Sequence, residues 1–91
     1  MTLQRGGIVW IPCESKSGPS ADERLVSFET LSGRVTGFVK TGDLKDKGAE
    51  GWAIRAAVLR IKGDAVEVRV FGSFFNTNGL ADISRDMALA A

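Results

Sequence analysis

The residues that could take part in catalysis are few in this chain. Nucleophilic catalysis needs a base beside the nucleophile, and the chain offers serines and a single cysteine, Cys13, but no histidine. Carboxylates and lysines are then the only bases. Cys13 shares a predicted strand face with Val9 and Ile11, and burial among such apolar neighbours raises the pKa of a thiol. We therefore expect Cys13 to be a core residue and expect no enzymatic activity.

The acidic residues show no pattern for acid and base catalysis or for binding a metal. Asp22 and Glu23 are adjacent, and neighbouring residues on a strand point to opposite faces, so their carboxylates are not expected to converge. Asp82 and Asp86 are better explained as solvated surface charges. The sequence has no zinc-ligand spacing, no calcium-loop motif and no glycine-rich phosphate motif. It thus predicts neither a metal nor a cofactor.

Four aromatic residues suggest a binding site instead. Phe71, Phe74 and Phe75 lie close together in the sequence, and Trp10 falls on the outward side of its predicted strand. An exposed apolar patch usually marks a partner surface. We therefore predict that these four residues bind a protein partner or a second copy of the chain. In the alternative interpretation, Phe74 and Phe75 fold back and plug one end of the domain.

A group of basic residues gives the second functional hypothesis. Arg55, Arg60, Lys62 and Arg69 belong to one predicted hairpin, and small β-barrels bind nucleic acid when basic residues alternate with stacking aromatics. Glu67 lies in the same hairpin, however, and the net charge of the chain is only +1. Nucleic-acid binding through these four basic residues is therefore the alternative to protein binding.

Length and composition predict one small domain spanning residues 1–91. The chain is 44% hydrophobic, which is enough for a single core, and its balanced charge creates no overall attraction to nucleic acid or membranes. A single cysteine excludes an intramolecular disulfide and fits a reducing compartment. The apolar run that ends at Cys13 is too short for a signal peptide or a membrane span. We therefore expect a cytoplasmic protein that does not bind membranes.

The clearest structural pattern lies between residues 23 and 44. Arg24–Thr30 alternates so that Val26 and Phe28 share one face, as expected for a strand with one buried side. Gly33 can take the positive φ of a hairpin turn. These features predict a hairpin at the centre of the fold.

The second strand of that hairpin is predicted at Val35–Lys40. Gly37 lies inside it, which indicates a bulge or a close approach by another backbone. Residues 41–43 then predict a short helical turn that returns Leu44 to the core.

Residues 37–44 resemble part of a known fold family. Their sequence, Gly-Phe-Val-Lys-Thr-Gly-Asp-Leu, is similar to the closing segment of SH3-like barrels, where a glycine, an aromatic and an apolar residue precede a turn and a final apolar residue. The resemblance implies a small β-barrel. Peptide-binding SH3 domains usually have a proline and, three positions later, a tyrosine in the ligand groove, where this chain has Lys40 and Asp43. The resemblance therefore argues against binding of proline-rich peptides.

Strands are also predicted on both sides of the central hairpin. In the segment from Ile8 to Cys13, Pro12 is expected at an edge or a strand end, because it has no N–H to donate. The predicted strand Trp52–Lys62 is partly apolar on both faces. Either both faces are covered by other parts of the protein, or a bulge near residues 56 and 57 changes which face points to the core. The remaining elements are a primed turn at 63–64, a strand at 65–71 with Val66, Val68 and Val70 inward, and loops at 14–22, 45–51 and 72–79.

The last residues allow two interpretations. We favour a strand at Leu80–Ser84 followed by a turn, and the alternative is a helix over residues 84–90 with Ser84 as its N-cap. The pattern of strand, glycine turn, strand and closing turn at residues 25–44 recurs loosely at 66–89. We therefore predict an all-β fold, a small SH3-like barrel of about five to six antiparallel strands, which two pseudo-symmetric three-stranded meanders could build.

Overall fold

The protein folds as one antiparallel sheet that curls into a half-barrel. A computed structural model describes residues 3–75 and 77–88, of which 62% lie in strands and 12% in helices. The predicted all-β small barrel is thus confirmed, although the eight strands exceed the five to six expected. The strands are β1 (Ile8–Ser17), β2 (Glu23–Thr30), β3 (Gly33–Lys40), β4 (Leu44–Asp46), β5 (Trp52–Lys62), β6 (Ala65–Val70), β7 (Ser73–Phe74) and β8 (Leu80–Ser84), followed by the helical turn α1 (Arg85–Ala88).

The strand order across the sheet is β7-β3-β2-β1-β5-β6-β8, and β4 pairs with β5 beside the end of β6. β1 connects the half of the sheet that contains β2 and β3 to the half that contains β5 and β6, because residues 8–13 pair with β5 and residues 14–17 pair with β2. Pro12 lies in the first part, opposite Ala53, where β1 has a strand on one side only. The prediction of an edge position for Pro12 is therefore confirmed, but the strand continues past it.

The core contains the inward faces that the alternation predicted. Val26 and Phe28 of β2 are almost completely shielded from solvent, and so are Val66, Val68 and Val70 of β6. Burial of each such side chain contributes roughly 1.5–3 kcal/mol to folding. The core is completed by residues from the other strands and both ends of the described chain, which include Leu3, Val9, Ile11, Val35, Val39, Leu44, Ile54, Ala56, Val58, Ile83 and Ala88.

A β-bulge in β5 explains why that strand is apolar on both faces. Up to Val58 the even-numbered residues point inward, and the register with β6 shifts between Val58 and Arg60. Beyond the shift, Ile61 lies opposite the buried Val66 and packs against the core. A bulge that changes the buried face was expected near residues 56 and 57, and it occurs two positions later.

Three segments that were predicted to be loops contain strands. Residues 14–17 extend β1, residues 44–46 form β4, and residues 73–74 form β7. Each segment is short or polar, and each is held by backbone pairing with a longer strand rather than by an apolar face of its own. Backbone pairing leaves no periodic signal in a sequence, which is why these strands were missed.

Gly37 allows β7 to pair with β3. A Cβ atom at this position would lie 2.5 Å from the carbonyl oxygen of Ser73 and 2.6 Å from the Cα atom of Phe74. The predicted close approach by another backbone is therefore confirmed. The backbone N–H of Phe75 also donates to the carbonyl oxygen of Thr36, at 2.9 Å, and so continues the contact past β7.

The tail combines both interpretations of the sequence. The strand at Leu80–Ser84 is confirmed, and a single helical turn follows it at Arg85–Ala88. Ser84 acts as the N-cap, because its Oγ accepts a hydrogen bond of 3.3 Å from the backbone N–H of Met87. The predicted residues 89 and 90 of the alternative helix lie outside the described residues.

The central hairpin agrees closely with its prediction. Gly33 has a φ of 118°, residues 41–43 form a 3-10 turn, and Leu44 is buried behind that turn. The strand order also contains two three-stranded meanders, β1-β2-β3 and β5-β6-β8, joined through the antiparallel pair of β1 and β5. An origin by duplication and the specific likeness to SH3 barrels stay predictions.

Candidate protein-interaction surface

Two phenylalanine rings meet on the outer side of β3. The alternation of β3 places Val39 in the core and Phe38 on the opposite face. The ring of Phe75 stands edge-on to the ring of Phe38, with 5.5 Å between the centroids and 75° between the planes. Phe75 keeps 65% of its surface exposed. A large ring that is held by a neighbour and yet open to solvent is well suited to contact a partner.

Phe71 lies on the adjoining part of the outer face, beside an ion pair. Arg55 projects outward from β5 and places its guanidinium carbon 4.9 Å from the centroid of the Phe71 ring. The same guanidinium bonds Asp43, with Nη2 and Nε at 2.8 and 3.0 Å from Oδ1. Asp43 belongs to the 3-10 turn that precedes β4. The turn therefore fixes the carboxylate that orients Arg55 over the ring.

Trp10 extends this face across β1. It is the cross-strand neighbour of Arg55, so both side chains point to the same side of the sheet. The Nζ atom of Lys45, which projects from β4, lies 4.4 Å from the centroid of the Trp10 ring. A cation–π interaction of this kind contributes about 0.5–1 kcal/mol at exposed sites.

The outward rings form one continuous region, which we call the aromatic surface. It consists of Trp10, Phe38, Phe71 and Phe75. Phe38 and Phe71 line a shared depression of about 150 Å³ whose rim includes Asp43. The ring of Phe75 meets that of Phe38, the depression joins Phe38 to Phe71, and Arg55 lies over Phe71 and is the cross-strand neighbour of Trp10. Three of the four predicted partner-binding residues are brought together here.

Phe74 takes the opposite direction from its neighbour. It is partly buried and packs against the core, where its ring meets that of Phe28 edge-on with 6.1 Å between the centroids. The predicted patch of Trp10, Phe71, Phe74 and Phe75 is therefore divided: Phe74 packs against the core, and Phe75 stays outside. Phe38 takes its place in the surface. Its alternation with the buried Val39 was the signal that could have identified it.

The four basic residues of the alternative hypothesis share one outward face of β5 and β6. Three of them form ion pairs with carboxylates: Arg55 with Asp43, Arg60 with Glu67 at 3.5 Å, and Lys62 with Asp82 at 3.2 Å. Arg69 is exposed and forms no ion pair within residues 3–75 and 77–88. The predicted common face thus exists, but most of its positive charge is neutralised locally.

Cys13 lies beside the core. Its side chain is partly buried and packs against the core cluster, and this burial raises the pKa of the thiol to about 11. It borders an apolar cavity of about 290 Å³, where β1 and β2 diverge and Met87 of α1 approaches. A protonated thiol is a poor nucleophile. This environment fits the prediction that Cys13 is a packing residue.

The carboxylates do not assemble into a centre. Asp22 is exposed, and the hydroxyl of Ser20 donates to its Oδ1 at 2.7 Å, which lowers the pKa of the Asp22 carboxyl. In the part of the chain that the structure describes, no three cysteine or acidic side chains are close enough to hold a metal ion.

The described residues contain no helix with the length and hydrophobicity needed to cross a bilayer. Comparison of the chain with protein-family models, with curated proteins and with solved structures gives no match.

Proposed function

We propose that this protein is a non-enzymatic interaction module that binds a protein partner, or a second copy of itself, through the aromatic surface. The observation that carries the proposal is the exposed ring of Phe75, held edge-on by Phe38 and continuous with Phe71. Aromatic side chains dominate the energetics of protein interfaces, and they contribute most where their neighbours already restrict them. The short pairing of β7 with β3 and the ion pair of Arg55 with Asp43 restrict the rings of this surface.

The surrounding geometry supports a contact surface rather than a catalytic cleft. The depression between Phe38 and Phe71 is shallow, at about 150 Å³, whereas pockets for small molecules usually measure roughly 300–1,000 Å³. Two carboxylates line the depression: Asp43 is engaged by Arg55, and Glu23 is the cross-strand neighbour of Lys40. A partner would therefore lie across the rings rather than enter the protein.

The test uses a variant that removes two rings without touching the core, Phe71→Ser with Phe75→Ser. Leu31→Ser is the matched control, because Leu31 is a 60% exposed apolar residue at the far turn of the β2-β3 hairpin. Random peptides displayed on phage are selected against the original protein and then measured against both variants by fluorescence anisotropy. Light scattering over a range of protein concentrations measures self-association in the same three proteins.

We expect selected peptides, or the self-association, to weaken at least about tenfold in the double variant, since each buried interface ring contributes on the order of 1–2 kcal/mol. Leu31→Ser should change little. Circular dichroism must show an unchanged fold in both variants. A monomeric protein that selects no peptide, or peptides that bind the double variant as well as the original, would remove the aromatic surface from consideration.

A further inference from the structure

The charges beside the aromatic surface are unbalanced in one direction. Three carboxylates, those of Asp43, Glu67 and Asp82, border the outward face of β4, β5, β6 and β8. Each forms an ion pair with a cation of that face. Two further cations project from the same face, Lys45 from β4 and Arg69 from β6, and neither forms an ion pair with a described residue. Glu23 and Lys40, which line the depression between Phe38 and Phe71, add one charge of each sign. The surplus beside the aromatic surface is therefore two positive charges.

The two surplus cations stand next to the rings. Lys45 lies over Trp10. Arg69 lies in β6, two positions before Phe71, and its cross-strand neighbours are Ala57 and Leu80. The row also contains Ile8, which is opposite Ala57 and 52% exposed, while Leu80 is 36% exposed. The two cations that form no ion pair thus lie among apolar side chains on one solvent-facing side of the sheet.

From this arrangement we infer that the partner presents an acidic, extended peptide segment whose carboxylates meet Lys45 and Arg69 while its apolar side chains contact the aromatic surface. This inference rests on the proposed function and specifies the chemistry of the partner. Complementary charge at the border of an apolar contact steers association and excludes partners of like charge. An extended segment places successive side chains on alternate sides, so acidic and apolar residues can reach separate features of the sheet.

The same observations favour a peptide over a nucleic acid. Base stacking requires free ring faces, whereas Trp10 has Lys45 over its ring and Phe71 has Arg55 over its ring. A nucleic acid also carries one phosphate for each nucleotide and needs many unpaired cations. Only Arg69 of the four basic residues on β5 and β6 lacks an ion pair within the described residues.

The experiment compares three fluorescein-labelled probes that are defined in advance. The first is a 12-residue peptide in which glutamate alternates with leucine and phenylalanine, the second has lysine in place of every glutamate, and the third is a 12-nucleotide oligothymidine. Each is titrated by anisotropy at low and moderate salt. The variant is Lys45→Gln with Arg69→Gln. Its control, Lys16→Gln with Arg5→Gln, removes the same charge from exposed positions outside β4, β5, β6 and β8.

We expect the acidic peptide to bind most tightly of the three probes. The double variant of Lys45 and Arg69 should lower its affinity about fivefold or more, which a few exposed ion pairs can account for. The affinity of the acidic peptide for the control variant should stay within about twofold of that for the original protein. Its affinity for the original protein should fall as the salt concentration rises. Stronger binding of the lysine peptide or of oligothymidine, equal binding of the acidic peptide to both double variants, or no binding of it near 1 mM would each overturn the inference. If selected peptides still depend on Phe71 and Phe75, the proposed function survives that failure.

Discussion

Phe74 and Phe75 are adjacent in the chain and have the same side chain, yet they belong to different regions of the molecule. Phe74 packs edge-on against Phe28 in the core, and Phe75 packs edge-on against Phe38 with most of its surface in solvent. Their difference follows from the pairing of β7 with β3, because successive residues of a strand point to opposite faces. A two-residue strand thus separates a core residue from a surface residue.

The two regions also differ in what holds them. The inner face is apolar and closely packed, so its contribution to stability comes from removing side chains from water. The outer face is organised by ion pairs and cation contacts with rings, which are individually weak at exposed sites. Substitutions inside should therefore change stability, and substitutions outside should change binding. The following experiments test that division in order of decreasing effect.

The largest effect is expected for Phe28→Ala. Phe28 is 2% exposed and touches Phe74, so its removal loses burial and leaves a cavity. The free energy of unfolding should fall by about 3–5 kcal/mol. Urea denaturation measures the change, and Phe75→Ala should shift the same quantity by less than about 0.5 kcal/mol. Equal losses in the two variants would show that the inner and outer rings are not separate regions.

The reactivity of the Cys13 thiol provides a chemical test of the inner face. Burial raises the pKa of the thiol from 9.0 to about 11, so less thiolate is present in the folded protein than in the unfolded chain. Alkylation by iodoacetamide at pH 8 should be about ten- to a hundredfold slower than in urea. The raised pKa stabilises the folded state below about pH 9, and this contribution is lost as the pH rises toward 11. Equal alkylation rates with and without urea would place the thiol outside.

Gly37→Ala tests the junction between the two regions. Its Cβ atom would lie 2.5–2.6 Å from the backbone of β7, so that strand must move. We expect a loss of about 1–3 kcal/mol in unfolding free energy, together with faster hydrogen exchange of the Phe75 amide, which bonds Thr36. Gly42→Ala is the control, because its Cβ atom would meet nothing within 4 Å and its φ is not positive. A Gly37 variant as stable as the control would contradict this account of β7.

The smallest effect concerns Asp43 and Arg55, the ion pair of the outer face. A double-mutant cycle with Asp43→Asn and Arg55→Gln should give a coupling energy of about 0.2–1 kcal/mol, because both side chains are partly exposed. The coupling should decrease in 1 M salt. A coupling of several kcal/mol would mean that this outer pair contributes to stability as a core contact does.

Much of the fold follows from local patterns. The bounds of β5, the alternation of β6, the hairpin turn at Gly33 and the 3-10 turn before Leu44 all agree with their predictions. Each depends on residues close together in the chain, such as a valine at every second position. The site was predicted less completely, because Trp10, Phe71 and Phe75 were identified by their size and not by their neighbours. Phe38 and Asp43 join them only through contacts between distant strands.

By itself, the amino-acid sequence determined the all-β class, the inward faces of the long strands and the turns between them, since these depend on period and on backbone freedom. Tertiary structure alone decided that β4 and β7 are strands and that the bulge of β5 lies beyond Val58. It also decided that Phe74 and Phe75 lie on opposite sides of the sheet. The tertiary structure further decided which basic side chains form ion pairs with carboxylates and which do not. The physical reason is that pairing partners on a curled sheet are set by the register between strands, and a register exists only when both strands are in place.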